Sequence, residues 1–451
     1  MNGKKPNRLL FLIAIASGTL LNPLNSSMIS MALHRIQQDF HLSFTTVSWL
    51  ISSYYLASAI GQPVMGKIGD QLGRKNIFLI GLLLVALSAL SAPWAPTFLI
   101  LILARLIQSF GSCSIYPSGM GMIREYITEK QASALAIISL FATGSAAFGP
   151  TIGGFLIDLG DWPAIFTVNI PVILISLLLG WFYLPPDRDK ERPSFRQTVK
   201  QLDLPGILLF AASMVFLLWF LLSFKTQVHP LSGILGILLL AGFIYRELHV
   251  EKPFIQLRLF KTNPLLSWVY LQFIVLNIYN YSIFFGLPTY FQEAMNLDVK
   301  TSGLLMLFNA GFGALIYPVM GKWIDRSGVK TPLIISSFLM VGGALLLTFV
   351  FVHLPLYGMA FALAIMGLSY GITNVCLQSA LLMVAPPSMT SLASGLFQTC
   401  RYMGCILSSV LLGLVFGTKI SPGHLQWMGY ALIVSSLASV WMSLKFNPRQ
   451  D

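Results

Sequence analysis

Long apolar stretches recur along the chain from Leu9 to Phe446, each interrupted by a short polar or charged segment. A helix crossing the hydrocarbon core of a bilayer needs about 20 mostly apolar residues, because its backbone N–H and C=O groups must all pair within the segment. The pattern predicts fourteen such helices, at 9–33, 46–66, 77–96, 98–121, 132–156, 163–184, 204–224, 231–246, 264–290, 302–321, 331–352, 356–383, 392–417 and 425–445. An all-α polytopic membrane protein is the expected fold class.

One of the polar breaks occurs twice. Gln62 to Asn76 reads QPVMGKIGDQLGRKN, and Tyr317 to Lys330 reads YPVMGKWIDRSGVK, with Pro63/Pro318, Gly66/Gly321, Lys67/Lys322, Asp70/Asp325, Gly73/Gly328 and Lys75/Lys330 in register. Each copy closes one apolar segment and precedes another, so each is expected to be a short hairpin between membrane helices. Gly66 and Gly321 suit a close approach of two helix backbones, and Gly73 and Gly328 suit the turn. The acid between them can cap a helix N-terminus.

The copies are 255 residues apart. With fourteen helices in 451 residues, about 32 per helix and loop, they lie about eight helices apart. Two six-helix halves would place them six apart, so the helices at 204–224 and 231–246 are read as an insertion. The expected division is a six-helix bundle at 1–190, two inserted helices with linkers at 191–260, and a second six-helix bundle at 261–451. Parallel halves with a site between them near the midplane describe a secondary transporter.

Composition agrees with this organisation. The chain is 56% hydrophobic and 10% charged, with a mean hydropathy of +0.76, and has too little polar surface for a soluble globule. The net charge of +12 does not point to nucleic acid, because the cations are spread over loops. The N-terminus, the loops at 67–76, 122–131, 185–203, 246–262 and 322–330, and the C-terminus hold 22 of the 28 Lys and Arg, against 4 (Arg35, Lys225, Lys300, Lys419) on the other side. By the positive-inside rule both termini are expected in the cytoplasm. The four cysteines (Cys113, Cys376, Cys400, Cys405) lie in apolar segments, without disulfide or metal-ligand spacing. The start resembles a signal peptide, but its apolar run continues to Leu33 and reads as the first membrane helix.

With the repeated loop in hand, the chain resembles the major facilitator superfamily, specifically its fourteen-helix drug/proton antiporters of the EmrB and QacA kind, over essentially its whole length. GKIGDQLGRK is similar to that family's signature between its second and third helices. The resemblance implies gating roles for Gly66, Asp70, Arg74 and Lys75, with Gly321 and Asp325 at the pseudo-symmetric positions. LARLIQSFGSCSIYP looks like the family motif built on a membrane arginine, here Arg105. A charged side chain in a span costs at least roughly 2.5–3.5 kcal/mol, so Arg105 is expected to face the bundle interior or a water path. Its role is either proton transfer or substrate orientation, or a structural hydrogen bond. Gly144, Gly149, Pro150, Gly153 and Gly154 resemble the superfamily's antiporter motif, which favours export over uptake. FQTCRYMGC resembles a stretch common in the fourteen-helix group and brings a second membrane cation, Arg401.

One departure matters. Where many relatives carry an aspartate in the first helix, this chain has Asn25, and none of its sixteen acids lies mid-span. Asparagine does not titrate. A coupled proton must therefore use a group nearer a helix end, with Asp158 ranked first, then Glu293 and His34; Arg105 is a further candidate. For the substrate cavity, helical spacing selects Asn22, Asn25, Tyr54, Gln62 and Tyr116 in the first half, and Gln272, Asn277, Tyr281, Asn309, Tyr370 and Asn374 in the second. Their amides and phenols bond without fixed charge, and the Met and Phe residues add adaptable apolar surface.

The expected function is proton-coupled efflux of hydrophobic or amphipathic drugs or dyes by alternating access, with a tetracycline-specific exporter or solute uptake by symport as alternatives. A receptor or scaffold is disfavoured by the paired gate loops. No enzymatic activity, metal or cofactor is expected; the partners are drugs, protons and membrane lipids. The expected setting is a monomer in a bacterial cytoplasmic membrane.

Overall fold

The computed structural model describes residues 7–47, 49–187, 202–223, 229–416 and 421–447, and among these leaves undescribed the side chains at 30, 34, 44, 45, 147, 150, 151, 221, 222, 299 and 300. The described residues contain helices and no strands. The long helices of the first half are α1 (Arg8–Thr19), α2 (Leu21–Asp39), α3 (Trp49–Leu72), α4 (Arg74–Ser91), α5 (Phe98–Tyr126), α6 (Gln131–Gly160) and α7 (Asn169–Tyr183). They are followed by α8 (Leu204–Ser223), α9 (Pro230–His249), α10 (Pro264–Glu293), α11 (Val299–Leu315), α12 (Tyr317–Ser327), α13 (Lys330–Leu345), α14 (Leu356–Val384), α15 (Thr390–Phe416) and α16 (Pro422–Lys445).

Among the described residues the fourteen apolar segments fall mainly on helices, and eleven spans, not fourteen, are long and apolar enough to cross a membrane; residues 48, 224 and 417 of those segments lie outside the described set. The segments at 132–156 and 204–224 lie on α6 and α8, of which Gln131–Ala146 and Leu204–Phe220 are the apolar stretches with described side chains, so their full lengths are not among the eleven. The segment at 46–66 belongs to α3, which carries Gln62, Lys67, Asp70 and Gln71 along its length and is absent from the eleven.

Three segments predicted as single helices are each broken in two. The breaks fall at Leu20, Val168 and Ile316, two or three residues ahead of Pro23, Pro171 and Pro318. Proline lacks an N–H and its ring clashes with the carbonyl four residues back, so the helix re-forms with a kink rather than running through. Pro63, Pro117 and Pro288 are accommodated inside α3, α5 and α10.

The chain divides into two compact units. The first comprises Met1–Glu129, Ile137–Thr198 and Pro386–Thr399, and so includes the first turns of α15. It is built around α5, whose residues from Gly111 to Ile123 are continuously buried. Small side chains let neighbours approach α5 closely: Ser58 and Ser109 hydroxyls bond at 2.9 Å, and a Cβ on Gly81 would lie 2.7 Å from the Gly111 carbonyl oxygen. An apolar cluster includes Leu24, Met28, Leu50, Leu101, Trp162 and Phe166.

The second unit comprises Lys130–Ala136, Val199–Ala385 and Cys400–Asp451. Its most buried span is α14. A serine and amide cluster ties α10, α13 and α16 together, with Gln272 Nε2 donating to Ser443 Oγ at 2.6 Å and Ser439 Oγ at 3.1 Å, and Ser337 and Ser443 hydroxyls 2.7 Å apart. In this unit α8 and α9 form a hairpin packed through Phe210, Phe243 and Phe254. Its polar end is closed by Asp203 and Arg246 at 2.7 Å, and by the Ile255 N–H donating to Glu247 at 2.8 Å. Large apolar side chains such as Leu83, Phe182, Leu238, Phe361 and Trp427 stay exposed on the helices, as lipid-facing surface requires.

Candidate functional site

Each copy of the repeated loop builds the same device. In the first unit, α3 ends at Leu72, Gly73 makes the turn at φ +108°, and α4 starts at Arg74. A side chain is disfavoured at that φ, hence the glycine. The Asp70 carboxylate accepts the backbone N–H groups of Ser391 at 3.3 Å and Leu392 at 3.0 Å, in the first turn of α15. Those donors have no partner inside their own helix, and the helix dipole favours an anion there. One turn before Asp70, Gly66 lies so close to α15 that a Cβ would sit 2.4 Å from the Ser391 carbonyl oxygen.

Arg74 crosslinks this contact. Its guanidinium donates to Asp70 at 2.8 Å, to Glu125 at 2.9 Å, and to the carbonyl oxygens of Gly121 and Pro387, both at 3.0 Å. Lys75 Nζ donates to the carbonyls of Trp181 at 2.8 Å and Leu184 at 2.7 Å, near the end of α7. The N–H groups of Lys75 and Asn76, at the start of α4, are capped by Asp187 at 2.9 and 3.1 Å. A cleft of about 390 Å³ opens here, lined by Asp70, Arg74, Arg124, Glu125, Asp187 and Pro387 among others.

In the second unit Asp325 accepts the N–H groups of Ala132 at 2.9 Å and Ser133 at 3.0 Å, in the first turn of α6, together with the Ser133 hydroxyl. A Cβ on Gly321 would lie 2.7 Å from Ser133 Cα, and Gly328 makes the turn at φ +77°. Acid, glycine and turn thus repeat in both units. The second copy is simpler, because Val329 stands in the register of Arg74. Lys330, in the register of Lys75, donates instead to the Asn447 side chain at 3.2 Å.

The glycines of the antiporter motif separate into two sets. Gly149 and Gly153 pack on α2: a Cβ on Gly149 would lie 1.8 Å from Ser27 Oγ, and one on Gly153 3.2 Å from the Met28 carbonyl oxygen. Gly144 and Gly154 face open space. The side chains of Pro150 and His34 lie outside the described set.

Among the remaining candidates, Asn25 is buried and accepts a 2.7 Å hydrogen bond from Asn169. Tyr54 is buried beneath Arg105, whose guanidinium carbon sits 4.3 Å above its ring. Gln62 and Tyr116 are buried and Asn22 half-buried in the same unit. In the second unit Tyr281 accepts from Arg401 Nε at 3.0 Å, and Asn374 bridges Tyr317 and Gln378, each at 3.3 Å. Asn277 bonds its own helix at Phe273, Gln272 is held by the serines described above, Asn309 is buried and Tyr370 half-buried. Asp158, in the last turn of α6, and Glu293, the last residue of α10, are exposed.

Paired latches on two helical units, with polar side chains inside apolar spans and no strand among the described residues, define a polytopic membrane transporter. Residues 15–409 match the Major Facilitator Superfamily, and the chain belongs to that family, whose members transport solutes and are not enzymes. It is 56% identical over 442 residues to the uncharacterized MFS-type transporter YwoD of Bacillus subtilis, covering 98% of each chain. More distant relatives include the tetracenomycin C resistance and export protein of Streptomyces glaucescens, 27% identical over 91% of this chain and 76% of that one. The multidrug efflux pump LfrA of Mycolicibacterium smegmatis is 28% identical over 90% and 80%. The solved proton:xylose symporter XylE shares the fold, with a TM-score of 0.65 at 15% identity over 95% of this chain and 94% of that one.

Proposed function

We propose that this transporter is a proton-coupled efflux antiporter for hydrophobic or amphipathic drugs, working by alternating access from a bacterial cytoplasmic membrane. The observation carrying this reading is the contact of Gly149 and Gly153 with Ser27 and Met28. It packs α6 closely on α2, with no room for a side chain at Gly149 and little at Gly153, which suits an antiporter that must not leak ions while working against a gradient. Distant relatives named as exporters support the same direction. Fourteen spans, cytoplasmic termini and a monomeric state belong to this proposal. So do substrate contacts by the amides and phenols named above, and proton transfer through Asp158, with Glu293 and His34 next.

The energetics are adequate. One elementary charge crossing the membrane is worth roughly 2.3 kcal/mol per 100 mV, so one proton per cycle sustains a useful gradient of a neutral or singly charged compound. The test is efflux of ethidium and rhodamine 6G from energised cells expressing the chain, with and without an uncoupler. Uncoupler-sensitive efflux above the level of cells carrying an empty vector supports the proposal. Uptake, or efflux indifferent to the uncoupler, contradicts it.

A further inference from the structure

Arg105 is enclosed in the first unit with only 1% of its surface exposed, inside a span that carries no acid at any nearby position. A guanidinium has five N–H donors and no acceptor. Arg105 Nη1 donates to Gln108 Oε1 at 2.5 Å, and the cation lies over the Tyr54 ring. Its Nε and Nη2 have no hydrogen-bond partner among the described residues. The orientation of Gln108 follows from chemistry, since a guanidinium only donates and the amide oxygen must face it. That turns Gln108 Nε2 away, and it too lacks a partner.

Two nitrogens of a fully charged guanidinium, Nε and Nη2, are therefore buried without an acceptor, and Gln108 Nε2, on the far side of its amide, is a third. Protein interiors rarely leave such groups unmet, because each costs the desolvation of a polar or charged group. The described acids of this unit are committed elsewhere, or lie exposed at helix ends or in loops. Asp39 accepts from the Trp162 indole, Asp70 and Glu125 hold Arg74, Asp187 caps α4, and Asp158 and Asp161 are exposed past the span.

We infer that the Arg105–Gln108 corner binds the acidic group of the transported compound, a carboxylate or an ionised phenol or enol, so that the preferred substrates are amphipathic acids. The free Nε and Nη2 of one flat guanidinium present two donors that match a two-oxygen anion, while Gln108 holds Nη1 and so orients the group. The stacked Tyr54 fixes the orientation of the cation so that little rotamer freedom is lost on binding. Arg401 gives the second unit a membrane cation of the same kind, paired with a phenol rather than an acid. This inference rests on the reading above that the chain moves amphipathic compounds, and names their charge.

The test uses the full chain in lipid nanodiscs and two matched pairs of probes, fluorescein against rhodamine 6G and benzoate against benzamide. Dye affinity is read by fluorescence anisotropy, and benzoate and benzamide by the shift in melting temperature. The expected result is a preference of about tenfold or more for the acid in at least one pair, the size of a charge-assisted hydrogen bond. Arg105→Met erases that preference while rhodamine 6G binding holds or tightens, and Arg105→Lys restores part of it. If Arg105→Met shows no melting transition, Gln108→Leu is read instead and weakens acid binding severalfold. No acid preference in either pair, or wild-type acid affinity in the variant that folds, overturns the inference. Loss of proton-driven ethidium efflux with acid binding intact would remove the export reading alone; efflux intact without acid binding would remove this one alone.

Discussion

The carboxylate of Asp70 and the backbone N–H of Leu392 meet at 3.0 Å although 322 residues separate them in the chain. The same relationship recurs between Asp325 and the N–H of Ala132, at 2.9 Å across 193 residues. In both, an acid in the last turn of one helix accepts the exposed donors at the start of another from a remote part of the sequence. The interaction needs a full negative charge and a glycine one turn earlier, and both copies have them.

Removing the charge at constant shape tests the latch. Asp70→Asn loses the Arg74 ion pair as well as the strength of two N–H bonds, whereas Asp325→Asn loses only the cap. With charge-assisted hydrogen bonds contributing about 1.5–3 kcal/mol each, Asp70→Asn is expected to slow dye efflux by about tenfold or more at normal expression. Asp325→Asn is expected to cost less, on the order of the 0.5–2 kcal/mol of a helix cap. Rates measured on cells with matched protein levels decide it, and wild-type efflux by Asp70→Asn would remove the gating role.

The antiporter glycines are predicted to divide. Gly149→Ala drives a methyl into Ser27 and is expected to destabilise the protein by roughly 1–3 kcal/mol, as overpacking does. Gly144→Ala meets nothing and is expected to be neutral or mildly stabilising in its helix. Melting temperatures of the two purified variants compare them directly, and equal losses would refute the assignment.

A pH dependence follows from Asp203, which lies ahead of α8 and outside the spans. Burial pushes its carboxyl up, but hydrogen bonds from Arg246 and the Gly206 N–H together outweigh this and hold it below its ordinary value of 3.8. A depressed folded value means that the stabilisation is complete above the unfolded value and fades as pH falls through the folded one. Stability of the α8–α9 hairpin is therefore expected to be flat from neutral pH down to about 4 as far as Asp203 is concerned, then to fall. Asp203→Asn should lower the melting temperature at pH 7 and lose that acid limb, and an unchanged pH profile would contradict the pairing.

Asp158→Asn is expected to weaken proton movement triggered by drug, since an amide does not titrate. The check is pH-sensitive dye inside proteoliposomes after drug addition. Unchanged coupling would shift the role to Glu293 or His34.

Much of the architecture was legible because membrane helices announce themselves: lipid supplies no hydrogen bonds, so each span must be long and apolar, and among the described residues the apolar segments are helical, eleven of them long and apolar enough to span rather than the fourteen expected. The breaks at Leu20, Val168 and Ile316 were not read, although Pro23, Pro171 and Pro318 are in plain view, because the apolar run continues unbroken through them. The latch acids stood out as repeated charge in an apolar chain. Their partners did not, because the backbone N–H groups of Ser391, Leu392, Ala132 and Ser133 leave no mark in a sequence. Asp187 was equally hidden, as one charge in a loop of many. For the polar candidates, helical spacing identifies a face but not an occupant: Gln272 shares that signature with Tyr54, yet its amide is held by Ser439 and Ser443.

The central claim, outward transport in exchange for protons, is tested most directly in proteoliposomes containing the purified chain, with internal pH and dye content recorded together after a pH step. The account predicts that ethidium or fluorescein moves against the direction of proton flow, and that adding dye accelerates the proton flux. Dye and protons moving the same way, or dye moving without any proton flux, would contradict it.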